Sequence, residues 1–295
     1  MLDLENLSKL RFGMSEVPQV GGQPGTYEEK WSQWFLERSF FRDFVYRNPQ
    51  KQKGQELADA VVLFGDVVLM VQVKAQYGQH DPASWTTEKL QEAFQQFRKT
   101  NESLVGGQVR KLKNDLYGDV EFDPKHYPNR MGLIILAHGS EPYVASELVP
   151  EVLTGGFPVH VFSLDDFATV ACRFDTAGDF VTFLEMRQEI SAWEEFRVQD
   201  EDGNIQRMIP HVEKVLLTQM SPASPEVMKK TVAAREEIAT GKLLGSPEWK
   251  YSLAIDDMIA HSHDVDSDLP YSTANSAARD IATYFGWLTR DRRTA

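Results

Sequence analysis

Apolar and polar residues follow one another along the chain with changing periods, and the clearest pattern lies between residues 59 and 74. Two apolar arms, rich in β-branched residues, flank the dipeptide Gly65-Asp66, which is typical of a two-residue turn. The pattern predicts a β-hairpin. The turn also fixes its register, so that Asp59 is expected to lie opposite Gln72.

A helix is predicted before the hairpin. Thr26 and Glu29 have the spacing of a capping box, and a stripe of aromatic residues follows at helical intervals. We expect this helix to end near Phe41 and to be followed by a short extended piece at 44–46.

After the hairpin, the pattern alternates between helical and extended segments, which indicates an α/β domain. The predicted elements are a helix from Thr86 or Thr87 to about Thr100, buried strands at 131–138 and 157–163, and helices opening at capping boxes that begin at Ser163 and Thr176.

The character of the sequence changes near residue 195. We predict an N-terminal extension at 1–25, an α/β domain at 26–195 and a mostly helical C-terminal region at 196–295. Within the last region, helical segments are expected near 225–240 and 272–290.

Composition narrows the class of protein. The chain has 295 residues, with 42% hydrophobic and 25% charged residues, which is ordinary for a globular protein. Cys172 is the only cysteine, which excludes an internal disulfide and a Cys-rich zinc site. The N-terminus lacks the pattern of a signal peptide, and no apolar run is long enough to cross a bilayer. We therefore expect a cytoplasmic protein without membrane contact.

The net charge of −13 argues against a protein that coats DNA non-specifically, because phosphate binding needs clustered Lys and Arg. A protein of this charge that binds nucleic acid would have to concentrate positive charge locally, and a solvated helix face is the alternative interpretation of such residues. The candidates for nucleic-acid contacts are Arg98, Lys99, Arg110, Lys111 and Lys113.

Three polar residues share one face of the predicted hairpin. Lys74 lies two residues beyond Gln72, so it points to the same side as Gln72 and Asp59. The other residues of this face are apolar: Val61, Leu63, Val68 and Met70. A buried carboxylate and ammonium must be paired or must bind an ion. An Asp59–Lys74 salt bridge, with Gln72 as a bystander, is the simplest explanation.

A divalent cation is the functional alternative. Asp59, the side-chain oxygen of Gln72 and the backbone carbonyl of Val73 would be its ligands, and these are the hard oxygens that Mg²⁺ prefers, with Mn²⁺ expected to substitute. Lys74 would polarise an attacking water beside a scissile phosphate.

These residues carry a resemblance to a known superfamily. Asp59, a hairpin, and then Gln72-Val73-Lys74 resemble the Asp…(Asp/Glu)-x-Lys signature of PD-(D/E)xK nucleases, and the Gln variant is similar to that of Mrr-type restriction endonucleases. The resemblance covers roughly residues 25–195. It implies a restriction-endonuclease-like mixed β-sheet flanked by helices and Mg²⁺-dependent hydrolysis of DNA. Some of the uncharacterised bacterial proteins that this sequence resembles are tied to phage defence, so an endonuclease of bacterial defence is the function that the resemblance implies.

The resemblance also implies a glutamate on the helix before the core strands. We assign that role to Glu28, which shares a face with inward-pointing aromatic residues, and we assign Glu29 to the capping box. Gln72 replaces the usual acidic residue and removes one negative charge from the site. Glu56 is the candidate that would compensate.

Further roles stay open at this point. Gln95 and Gln96 lie on the helix after the hairpin, where related nucleases place substrate-contacting polar residues, and only one of them can face the sheet. The alternatives to an active DNA nuclease are a catalytically inactive binding module of the same fold and an unrelated α/β protein. A homodimer and a partner subunit of a defence system are both compatible with the sequence.

Overall fold

The computed structural model describes residues 26–50, 56–76, 81–138, 151–152, 156–190 and 208–213. The helices are α1 (Thr26–Phe44), α2 (Pro82–Val105), α3 (Leu164–Arg173) and α4 (Ala177–Ile190). The strands are β1 (Val45–Arg47), β2 (Ala60–Phe64), β3 (Val67–Gln76), β4 (Lys111–Asn114), β5 (Gly118–Glu121), β6 (Asn129–His138), β7 (Glu151–Val152) and β8 (Pro158–Ser163). A 3₁₀ turn spans Pro124–His126, and residues 208–213 are helical.

Six strands form one mixed sheet in the order β1-β2-β3-β6-β8-β7. The strands β1, β2 and β3 are antiparallel neighbours, whereas β6 is parallel to both β3 and β8. The helix α2 provides the crossover between β3 and β6 that a parallel pair requires. The predicted mixed α/β architecture, a sheet flanked by helices, is confirmed for the described residues.

Each face of the sheet carries its own apolar core. The first core joins α1, α3, α4 and residues 208–213 to the inward side chains of one face, including Val71. The second core joins α2 and the separate β4–β5 hairpin to the other face, including Met70. Alternate residues of β3 are thus buried on opposite faces, as a strand covered on both sides requires.

The predicted register of the central hairpin is confirmed along β2. Phe64 pairs with Val67 and Ala60 pairs with Val71, and Gly65 in the turn has a positive φ of 57°. The ladder ends at Ala60, so the Asp59–Gln72 pair is not part of it. The amide of Asp59 instead donates to the carbonyl of Val71 at 3.2 Å.

The predicted helix boundaries were partly wrong. The helix α2 begins at Pro82 rather than at Thr86 or Thr87, because the carboxylate of Asp81 accepts the amide of Ser84 at 2.8 Å and caps it. It also continues to Val105, past the end that we expected. Likewise, α1 continues to Phe44 before the chain becomes extended.

The N-cap bond is confirmed at both predicted capping boxes. The amide of Asp166 donates to the Ser163 hydroxyl at 3.1 Å, where α3 begins. The amide of Asp179 donates to the Thr176 hydroxyl at 3.2 Å, and that hydroxyl is 3.0 Å from the Asp179 carboxylate. Both helices therefore begin where the sequence pattern indicates.

The helical residues 208–213 pack against the α/β domain. Met208, Ile209 and Val212 are buried in the first core, and Arg173 bonds Glu213 through two donor nitrogens at 2.5 and 3.0 Å. The core of the α/β domain thus includes side chains beyond residue 195. The predicted helices near 225–240 and 272–290, and the predicted extension at 1–25, lie outside the described residues.

Candidate active site

The polar residues of the central hairpin gather at the open end of β2 and β3. Asp59 immediately precedes β2, and Gln72 and Lys74 lie near the end of β3. Gln72 is 3% exposed, whereas Asp59 and Lys74 are half-buried. The Lys74 ammonium donates to the side-chain oxygen of Gln72 at 3.1 Å, so the predicted common face of these two residues is confirmed. The site is therefore rooted in the interior and open at one edge.

The carboxylate of Asp59 is fixed by the backbone of the neighbouring strand. Its Oδ2 accepts the amide of Val73 at 2.6 Å. Burial raises the pKa of the Asp59 carboxyl, the Val73 amide and the Lys74 ammonium lower it, and Glu56 raises it again, with a net rise. The carboxylate is thus held in place but poorly compensated in charge.

Lys74 does not pair directly with Asp59. In the described part of the chain no ion pair joins the two side chains, although Lys74 is close enough to lower the pKa of the Asp59 carboxyl. The ammonium donates instead to two amide oxygens, those of Gln72 and, at 2.9 Å, Gln96 of α2. The simple salt bridge that would explain these residues structurally is therefore absent between them.

A glutamate at the start of α1 reaches this group electrostatically. Glu29 is an exposed residue, yet partial burial of its carboxyl is the largest cause that raises its pKa. Nearby carboxylates raise that pKa further and the Lys74 ammonium lowers it; these carboxylates belong to Asp59, Glu56 and Glu28. Glu29, which the sequence assigned to capping, is therefore an electrostatic neighbour of the candidate site.

Glu28 is fully buried, in agreement with its predicted inward orientation. It lies one turn before Trp31, whose side chain belongs to the first core, on the opposite face of the sheet from Met70 and the second core. Successive helical residues diverge by about 100°, so only one of two adjacent glutamates can point into that core. The metal-binding role of Glu28 stays a prediction.

Backbone hydrogen bonds hold the segment that carries Glu56. The amide of Leu57 donates to the carbonyl of Pro49 at 2.8 Å, the amide of Asn48 donates to the carbonyl of Asp59 at 3.0 Å, and an isolated bridge joins Gln50 to Glu56. Glu56 itself is exposed. The chain thus presents Glu56 beside Asp59 on a fixed segment at the mouth of the site.

The donor chemistry of this site fits a hard divalent cation. The carboxyls of Glu29 and Asp59 both have a raised pKa, to which burial and neighbouring carboxylates contribute, and Lys74 is the ammonium that lowers both, so an added positive charge would be favoured. Among the described residues, no group of three His, Cys, Asp or Glu side chains is arranged to hold a metal ion. Mg²⁺ commonly takes one or two carboxylates and several waters, and the predicted set draws its other oxygens from Gln72 and the Val73 backbone.

The predicted nucleic-acid contacts all lie on the protein surface. Arg98 and Lys99 are exposed on α2, two and three residues after Gln96. Arg110, Lys111 and Lys113 are exposed at the β4–β5 hairpin, where Lys111 is 3.2 Å from Glu121. Their exposure agrees with both readings made from the sequence, a phosphate-binding surface and a solvated face.

The helical phase of α2 identifies which of the two glutamines can reach the sheet. Ala93 and Phe97 are buried in the second core, and Thr100 is buried beside them. Gln96 lies three residues after Ala93 and four before Thr100, so it lies next to this buried stripe. Gln95 points away from this stripe and is exposed. Phase alone therefore favours Gln96, but the contact with Lys74 required the structure.

No protein-family model, curated protein or solved structure matches this chain. Within the described ranges, no helix combines the length and the apolar character needed to cross a membrane.

Proposed function

We propose that this chain is a Mg²⁺-dependent nuclease that hydrolyses phosphodiester bonds of DNA, with the restriction-endonuclease-like fold of PD-(D/E)xK enzymes and the role of an endonuclease in bacterial defence. One observation carries the proposal. Asp59, Gln72 and Lys74 meet at the open end of the central strands, with the carboxylates of Glu29 and Glu56 close to them. A purely structural polar cluster would be expected to balance its charges.

The fold supports the same proposal. The resemblance implies a glutamate-bearing helix, then the core strands, then a further helix, within a mixed sheet flanked by helices. The chain has α1, the β2–β3 hairpin and α2 in that order, and β3 is central in the mixed sheet. A site at the end of central strands is positioned by the most rigid part of the domain.

Each residue of the site has a role in this proposal. Asp59, the side-chain oxygen of Gln72 and the Val73 carbonyl would hold the cation, with a carboxylate from Glu56, Glu28 or Glu29 completing the charge. Bound Mg²⁺ supplies positive charge that offsets the charge developing on the phosphate. The Lys74 ammonium positions and polarises the attacking water through its hydrogen bonds.

The basic residues provide the second half of the proposal. The exposed side chains of α2 and of the β4–β5 hairpin would contact phosphates on either side of the scissile bond; these are Arg98, Lys99, Arg110, Lys111 and Lys113. Each phosphate contact that is removed should reduce the slope of log affinity against log salt by about one.

A catalytically inactive module of the same fold is a second candidate, and the state of Gln72 favours it. Gln72 is neutral, and its oxygen already accepts the Lys74 ammonium. One oxygen of Asp59 already accepts the Val73 amide. These contacts, together with the net charge of −13, are those expected of a site that has kept the fold but lost nuclease activity.

Cleavage of supercoiled plasmid DNA by the full chain tests the proposal. We expect nicked or linear product with Mg²⁺ or Mn²⁺ and none with a chelator. Lys74→Ala should lower the rate about 100-fold or more, since positioned proton-transfer and electrostatic groups contribute that much. Lys125→Ala, which changes an exposed lysine of the 3₁₀ turn, is the control and should cut like the wild type.

The two candidates are separated by metal binding. If the folded wild type neither cuts DNA nor binds Mn²⁺ in calorimetry, the nuclease proposal fails and the inactive module is favoured. Wild-type rates in Lys74→Ala would remove the assigned site even if the protein cuts DNA.

A further inference from the structure

We propose that Gln96 is a positioning residue for Lys74, and that it keeps the ammonium over the site when the oxygen of Gln72 serves a metal ion. This inference rests on the proposed nuclease function. Its basis is the pair of contacts from the Lys74 Nζ, 3.1 Å to the oxygen of Gln72 and 2.9 Å to the oxygen of Gln96.

The side-chain oxygen of Gln72 would interact with two cations, the Lys74 ammonium and the metal ion. It accepts the Lys74 ammonium in the structure, and it is also the predicted side-chain ligand of the metal at this position. Two positive centres on one oxygen repel each other strongly in a poorly solvated place, and Gln72 is 3% exposed. Metal binding should therefore weaken or displace the bond between Gln72 and Lys74.

If Lys74 loses its hydrogen bond to Gln72, its own aliphatic chain does not fix the position of the ammonium. The side chain has four flexible carbons, and the ammonium has three donors but no preferred plane. A second acceptor on a rigid element limits that freedom. Gln96 supplies it from α2, a 24-residue helix that packs on the second core through Ala93 and Phe97.

The surroundings of Gln96 argue against a purely structural purpose. The residue is exposed and sits beside the buried stripe of α2 rather than in it. Exposed polar contacts contribute little to stability. The Gln96 contact therefore acts mainly on where the Lys74 ammonium lies, which is a property that catalysis depends on.

Gln95 provides a matched control on the same helix. It is exposed like Gln96, it has the same chemistry, and it makes no hydrogen bond to Lys74. We expect Gln96→Leu to lower kcat for metal-dependent plasmid cleavage about 10- to 100-fold while KM and the melting temperature stay near wild type. Gln95→Leu should match the wild type in all three measurements. Gln96→Glu, which keeps an oxygen acceptor, should restore most of the lost kcat.

A readout without metal or substrate tests the contact itself. In metal-free protein, the ¹⁵Nζ signal of the Lys74 ammonium, assigned by its loss in Lys74→Arg, should be protected from water exchange. In Gln96→Leu only the contact with Gln72 remains, so the signal should exchange faster and broaden, whereas in Gln95→Leu it should match the wild type.

The outcomes separate this inference from the function on which it rests. Equal kcat and equal ¹⁵Nζ signals in the two leucine variants, with an active wild type, would overturn the role of Gln96 and leave the nuclease intact. A wild type that does not cut DNA would overturn both. A structural role for Gln96 would instead appear as a lowered melting temperature, with kcat falling only as the folded fraction falls.

Discussion

Two polar clusters of the described residues, one at Asn114 and one at Asp59, differ in how their hydrogen-bonding groups are satisfied. Asn114 of β4 is 1% exposed and lies against the C-terminal end of α1. Its Nδ2 donates to the carbonyls of Arg42, Asp43 and Val45 at 2.9 to 3.3 Å. Its Oδ1 accepts the amides of Leu116 and Tyr117. This cluster uses neutral donors and acceptors, and it ties the β4–β5 hairpin to the end of α1.

The cluster at Asp59 is the opposite case. Its carboxyl and that of Glu29 both have a raised pKa, and the nearby ammonium of Lys74 is bonded to neutral amides rather than to either of them. Burial with complete hydrogen bonding stabilises a fold, whereas burial of uncompensated charge lowers stability and would be relieved by a bound cation.

The largest expected effect concerns the satisfied cluster. Asn114→Ala removes five hydrogen-bond contacts of a buried amide, so it should lower the free energy of unfolding by on the order of 3 kcal/mol. Urea unfolding measures the change. Asn129→Ala, at an exposed asparagine that bonds Asp66, is the control and should stay within about 0.5 kcal/mol of the wild type. Equal effects in the two variants would remove the contrast between the clusters.

A pH-dependent effect is expected at Asp59. Because its folded-state pKa is raised above the ordinary value of 3.8, its contribution to stability is full below that value and is lost as pH rises through the folded pKa. Asp59→Asn keeps an oxygen for the Val73 amide but carries no charge. As pH rises from 3.8 through the folded-state pKa of Asp59, the metal-free variant should therefore become more stable relative to the wild type. The difference in unfolding free energy should grow by at most about 1.4 kcal/mol per pH unit. Urea unfolding between pH 4 and pH 7 measures the difference, and a variant that loses ground as pH rises would show the Asp59 carboxylate to be well compensated.

The smallest effect is expected between Glu29 and Asp59. Water screens the exposed Glu29, so a double-mutant cycle on unfolding free energy, with Gln and Asn replacements, should give a repulsive coupling below about 1 kcal/mol. Asp59→Asn should also lower the pKa of the Glu29 carboxyl, as followed by NMR titration. An unchanged Glu29 titration would place Glu29 outside the candidate site and return it to the capping role that the sequence suggested.

Much of the fold and part of the site could be predicted from local pattern. The hairpin register followed from Gly65-Asp66, because a two-residue turn and a period of two leave one pairing that buries both arms. The N-caps at Ser163 and Thr176 could also be predicted, since each joins residues only three apart in the sequence. The start of α2 was missed, although Asp81-Pro82 gave the signal of an N-cap followed by proline.

Other features depend on contacts between residues that are far apart in sequence. The β4–β5 hairpin was not predicted, because its anchor is Asn114, whose partners at α1 lie about seventy residues earlier in the chain. The burial of Met208, Ile209 and Val212 in the first core likewise joins segments that the composition had separated at residue 195.

The central hairpin shows where the two sources of information divide. Strand periodicity and turn length are local properties, so the sequence was enough to predict that Gln72 and Lys74 share a face and that Asp59 lies at the same end. The structure was needed to show that Asp59 leaves the ladder and bonds the Val73 amide, that Glu29 lies in its electrostatic surroundings, and that Gln96 accepts a hydrogen bond from Lys74. The positions of Glu29 and Gln96 depend on how α1 and α2 pack against the sheet, and a local sequence pattern does not determine that packing.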